Sequence, residues 1–189
     1  MKRIVVSLVV AAAVVVVVAL GAVNAGLFDV AASGQENALT RWVMRTTMEH
    51  SVRARAKEIT VPSSSDSGLI SIGFEHYDEM CVTCHSSPAG GRSEAGEGLN
   101  PPAPDLSASV RDWTPAELYW IISHGIKRTG MPAFAPTHEP NEVWAMVAFV
   151  ERLSGMDSVQ YAAMKISATE RNEETGQSEH HHYEDDRSH

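Results

Sequence analysis

Cys81-Val82-Thr83-Cys84-His85 places two thiols and an imidazole within five residues. In a Cys-x-x-Cys-His run the thiols are spaced to bond the two vinyl groups of a haem, and the following imidazole to ligate its iron. No other cysteine occurs in the 189 residues, so there is no disulfide framework and a four-cysteine zinc site lacks its second half. The competing reading is a redox-active dithiol that happens to precede a histidine. That arrangement normally comes with a βαβ pattern, whereas the segments flanking Cys81 have helical periodicity.

A haem held by His85 needs a second axial ligand or keeps an open site. Gly130-Met131-Pro132 lies 46 residues downstream of His85. Thioether sulfur is a soft ligand that favours reduced iron, and Pro132 stiffens the loop by fixing its own φ. Of the eight methionines, Met80 adjoins the first thiol and cannot reach the far face. Met44, Met48, Met146, Met156 and Met164 lie in helix-like or tail stretches where methionine is ordinary core filler. Met131 is the best placed.

Cys81 to His85, the segment Gly125-Ile126-Lys127-Arg128-Thr129-Gly130-Met131-Pro132-Ala133-Phe134 and a final apolar helix together resemble class I cytochrome c. More narrowly, the chain is similar to the small bacterial monohaem cytochromes that carry an N-terminal membrane anchor. The resemblance is dense from Leu69 to Leu153, weaker from Asn24 to Pro62 and absent from the last twenty residues. It implies an all-α fold of a few short helices wrapped around one haem c, covalent through Cys81 and Cys84, with His85 and Met131 on the iron. It also implies electron transfer rather than catalysis.

In this family the carbonyl of a proline-containing loop accepts from the haem histidine, which fixes the tautomer of the ring. Pro101, Pro102 or Pro104 could supply that carbonyl here. Leu106 would then wall the haem crevice. Trp113 and Trp120 each offer one N–H donor to a haem propionate, and each is equally suited to the core. His124 and His138 flank the methionine loop and read as loop braces rather than ligands.

The elements that must position these groups follow from the pattern. Leu69 to Met80 reads as a helix capped by Asp66 or Ser67, with Gly73 and Tyr77 on one face against Met146 and Phe149 of the last helix. Ser86 to Asn100 reads as loop. Thr114-Pro115-Ala116-Glu117 is a helix start, and Gly125 is its left-handed stop. Glu139-Pro140-Asn141-Glu142 opens a helix that closes before Gly155, and a short helix is expected from Ser158 to Met164.

Upstream, Lys2 and Arg3 precede 20 residues, Ile4 to Val23, interrupted only by Ser7. This matches the length needed to span a bilayer. Val23-Asn24-Ala25 would serve as a cleavage site, but the apolar run is longer than that of a usual secretory signal. A single-pass anchor in the cytoplasmic membrane with a periplasmic haem domain is therefore expected. The expected segments are an anchor over 1–25, a helical spacer and linker over 26–67, the haem domain over 68–165 and a disordered acidic tail over 166–189. The basic stretch Leu39 to Ile59, with Trp42, suits either an amphipathic helix near anionic lipid or a spacer that docks a partner.

Net charge −9 argues against nucleic acid, which demands a basic face. No triad, phosphate loop or zinc motif points to a small-molecule substrate. Expected partners are redox proteins, within or outside a respiratory complex. Three alternatives stand beside the carrier: an open-site ligand sensor or weak peroxidase, the cytochrome subunit of a larger oxidoreductase, and a metal-handling role for His180 to His182.

Overall fold

A computed structural model describes the chain except for residues 28, 35, 64–66, 89 and 186–189, and without the side chains of 67, 172 and 174–185. It divides into two compact units, Met1–Glu36 and Asn37–His189. Among the described residues the protein is helical and no strand forms. The first unit is dominated by α1 (Lys2–Asn24), which has no buried residue and is long and apolar enough to cross a membrane.

The second unit holds α2 (Ala38–Ala56), α3 (Ser67–His76), α4 (Val82–His85), α5 (Glu94–Glu97), α6 (Leu106–Ser109), α7 (Pro115–His124), α8 (Pro140–Leu153) and α9 (Ser158–Asp185). A π-helical turn, Tyr77–Cys81, joins α3 to α4. Such one-turn expansions recur at functional sites. Asp66 and the side chain of Ser67, the expected caps of α3, lie outside the described residues.

α3 crosses α8, and the crossing is set by Gly73. A Cβ there would overlap the Ala145 carbonyl and come 2.9 Å from Phe149 Cβ. The closest neighbours of a Cβ at Gly73 are Ala145, which sequence did not single out, and the expected Phe149; Met146 is buried in the same core. The backbone approach lets Phe74 and Tyr77 reach Phe149, with ring centroids 5.4 and 5.2 Å away. Val143, Met146, Val147, Val150 and Leu153 complete the α8 face.

α7 starts as its sequence requires. Thr114 Oγ1 accepts from Glu117 N at 3.3 Å, and Glu117 Oε2 accepts from Thr114 N at 2.8 Å. α2 belongs to the same unit as the haem motif and meets α7, with Val52 and Ala56 buried. α9 runs well past Met164, where a short helix and then an unstructured tail were expected. Its first half packs on α3 and the π-helical turn: Tyr161 Oη donates to Asp78 at 2.8 Å, Lys165 pairs with Asp78 at 2.9 Å and Arg171 with Glu75 at 2.8 Å. Ala168 is buried on the same side. Sequence polarity alone could not reveal those partners. The side chains of His180 to His182 lie outside the described residues.

Gly73→Ala is expected to force the α3–α8 crossing apart, since backbone cannot yield as a flexible side chain does. The loss should be about 1–3 kcal/mol, the usual range for overpacking a core, measured by denaturant unfolding of the purified holoprotein.

Candidate functional site

His85 ends the turn Val82–His85, and its Nδ1 lies 3.0 Å from the Pro104 carbonyl. A carbonyl can only accept, so Nδ1 carries the proton and Nε2 keeps its lone pair for a metal. Among the three prolines left open by sequence, the structure brings Pro104 to the ring. Arg92 Nη2 donates to Ala103 O at 2.6 Å and so braces the segment that presents this carbonyl. Burial pushes the His85 imidazole below its ordinary range; the Pro104 bond works the other way and the Arg92 cation adds to the lowering. A ring held neutral near pH 7 is the ligating form.

The backbone around the ring is fixed from two sides. Tyr77 Oη, on the π-helical turn, donates to Ser86 O at 2.7 Å. Ser86 itself has φ of 63°, a conformation rare for a residue with a Cβ. On the other side, Ser93 Oγ donates to Thr83 O at 2.6 Å and accepts from Gly96 N at 3.2 Å, capping α5 against the haem motif. A Cβ on Gly96 would sit 2.6 Å from Thr83 O. The expected loop therefore contains a short helix whose existence depends on this contact.

Cys81 packs against the core, and burial pushes its thiol up to about 12, with Cys84 contributing in the same direction. A thiol protonated at neutral pH is a poor nucleophile. This is opposite to the lowered value that a thioredoxin-like dithiol needs, which removes support from the competing reading of the motif.

The methionine loop is cinched by backbone. Ile126 N donates to Met131 O at 3.3 Å, Met131 N to Thr129 Oγ1 at 3.2 Å, and Phe134 N to Ile122 O at 3.2 Å. Gly125 stops α7 with φ of 62° and ψ of −175°, so it has the positive φ expected but not the left-handed helical ψ. A Cβ there would also lie 2.5 Å from the Pro132 carbonyl carbon, so both backbone angle and space demand glycine. Leu99 covers Gly130, with Cδ2 2.5 Å from a Cβ built there, and ties the loop after His85 to the methionine loop.

Cys81, Leu106, Trp113 and Met131 are all half-buried against the same core. Arg53 of α2 lies 5.7 Å over the Trp113 ring. Trp120 is half-buried but outside that set, and stacks on His124 at 4.7 Å. His124 Nδ1 is 3.0 Å from Trp120 O and His138 Nδ1 3.2 Å from Phe134 O, so both rings brace backbone around the loop. A cavity of about 280 Å³ among Tyr77, Ser86, Ser87, Asp105 and Leu153 is lined by neither thiol, nor His85, nor Met131. Sequence reasoning missed Arg92, Ser93, Gly96 and Leu99. The one local signal was Ser93 ahead of Glu94, a cap pattern; the others act on residues distant in the chain.

Two thiols one helical turn apart, followed by an imidazole with a fixed tautomer, fit a covalently attached haem. Residues 68–150 match the family model described as Cytochrome C oxidase, cbb3-type, subunit III. No curated protein matches the chain. Among solved structures, a chain of the Kuenenia stuttgartiensis reducing HAO-like protein complex Kustc0457/Kustc0458 is similar at 21% identity and a TM-score of 0.43, over 50% of this chain and 49% of that one. The chain thus spans about half the length of that neighbour. Family match, helical architecture and the Cys-x-x-Cys-His turn agree: the segment from Gly68 to Val150 resembles a cytochrome c domain and has the all-α fold of class I.

Proposed function

We propose that the chain is a membrane-anchored monohaem electron carrier that passes single electrons between respiratory redox partners on the outer side of the cytoplasmic membrane. The observation that carries this reading is the His85–Pro104 pair at 3.0 Å, which prepares Nε2 as a ligand. In this reading Cys81 and Cys84 would hold the haem by thioether bonds, and His85 and Met131 would ligate its iron. When bound, the haem supplies an iron that takes up and releases one electron. The chain's own residues do the rest. The Pro104 carbonyl keeps His85 oriented and raises its basicity. Gly125, Thr129 and Leu99 hold the methionine loop closed, which denies the site to substrate or oxygen. Leu106 supplies apolar wall, and Trp113 or Trp120 would offer its N–H to a haem propionate.

α1 serves as the anchor in this reading, with Lys2 and Arg3 on the cytoplasmic side. Between Gly68 and Gly155 eleven acids face five bases, a net of −6. The redox partner then presents a basic or apolar patch, in a small and short-lived encounter.

Two measurements test the proposal. The ferric holoprotein should have the far-red sulfur-to-iron charge-transfer band, and Met131→Ala should abolish it and let the ferrous form bind carbon monoxide. Ready carbon monoxide binding by the unsubstituted protein, with no such band, would instead favour an open-site sensor or peroxidase. Electron transfer to a basic partner should slow several-fold between low and physiological ionic strength, as steered association does; a rate indifferent to salt would remove charge steering.

A further inference from the structure

This inference rests on the reading of α1 as an anchor. α2 carries apolar side chains on two sides. Met48, Val52 and Ala56 follow one another at four-residue spacing, and the last two are buried where the helix meets α7. Leu39, Trp42 and Val43 point, on average, about 130° away from them at 100° per residue. They are 67%, 63% and 44% exposed. Isolated exposed apolar residues need no explanation, but three clustered within five positions, one a tryptophan, do.

Charge and chain length say what covers them. From Ala38 to Glu58 five bases face two acids, a net of +3 beside a domain of net −6. Arg41 and Arg45 lie within the same turns but on the far side of the helix from the exposed cluster, Arg45 paired with Glu49 at 2.8 Å. Only residues 25–37 separate α1 from α2. Thirteen residues reach at most about 45 Å, so α2 cannot leave the neighbourhood of the bilayer that holds α1. A tryptophan, flanking aliphatics and arginines beside an anionic surface are the composition of an interfacial helix.

We propose that the N-terminal half of α2 rests in the headgroup layer of that membrane, with Trp42, Leu39 and Val43 towards the acyl boundary and the net positive charge of the helix drawn to the anionic surface. The C-terminal half, fixed to α7, transmits this second attachment to the haem domain. The domain is therefore held in one orientation, its acidic body directed away from the anionic surface, instead of swinging on a free tether.

The test uses the full-length holoprotein in vesicles of phosphatidylcholine with phosphatidylglycerol. Cys81 and Cys84 are taken up by the haem, so Val43→Cys and, as a control on exposed α5, Glu94→Cys each provide one thiol for a nitroxide. The label at 43 should be far more accessible to oxygen than to a water-soluble nickel chelate, and the label at 94 the reverse. Adding Arg41→Glu and Arg45→Glu should shift the label at 43 towards chelate accessibility without altering the haem spectrum. If the protein floats with the vesicles but both labels are equally open to chelate, the α2 contact is wrong and the anchor stands. Spin–spin broadening at 43, in vesicles and in detergent alike, would overturn it in favour of a second copy of this chain. Shielding of 43 from both reagents would overturn it in favour of a protein partner. Failure to float removes the anchor and this inference with it.

Discussion

Backbone against backbone at Gly73 and Ala145 is the contact on which the haem-bearing half of the structure depends. With no side chain between them, α3 and α8 come close enough for Phe74 and Tyr77 to reach Phe149. Tyr77 then spans from this aromatic core to the Ser86 carbonyl just beyond the candidate ligand. The position of His85 is thus inherited from a helix crossing more than ten residues earlier. A larger residue at 73 would displace the π-helical turn and the haem motif together.

The opposite side of the site is held by a different device. The methionine loop has little apolar mass of its own and closes through main-chain hydrogen bonds to the end of α7, with Gly125 admitting the Pro132 carbonyl. Met131 reaches its place because α7 ends at a residue that can turn with positive φ. α7 itself packs on α8, so the two ligand-bearing segments are referred to one helix. A rigid common reference of this kind would preorganise a metal site, since neither candidate ligand would need to move.

α2 and α9 extend the unit beyond the matched segment of 68–150. Each is attached by a few specific contacts: Val52, Ala56 and Arg53 for α2, Tyr161, Lys165 and Arg171 for α9. The exposed pairs contribute little stability individually. The buried Tyr161, whose hydroxyl burial keeps in its neutral form, and Val52 do more. These helices carry none of the candidate haem-holding residues and present new surface, basic on α2.

Local chemistry determined much of this in the sequence itself. The haem motif, the capping box at Thr114, the glycine stop at 125, the paired Gly73 and Tyr77, and the apolar run of α1 each depend on residues within a few positions, so spacing alone reveals them. Residue chemistry had already made Met131 the best placed methionine; the family resemblance implied it as a ligand and pointed to three prolines as partners for His85. Choosing Pro104 required the tertiary structure, because a loop carbonyl 19 residues away is placed by packing and not by spacing. The same holds for Ala145 opposite Gly73, for the helix at Ser93, whose cap is shared with the Thr83 carbonyl, and for the length of α9. A polar helix carries no periodic signal strong enough to announce itself; the acids on α3 and the π-helical turn that hold α9 in place lie 83 to 96 residues away along the chain.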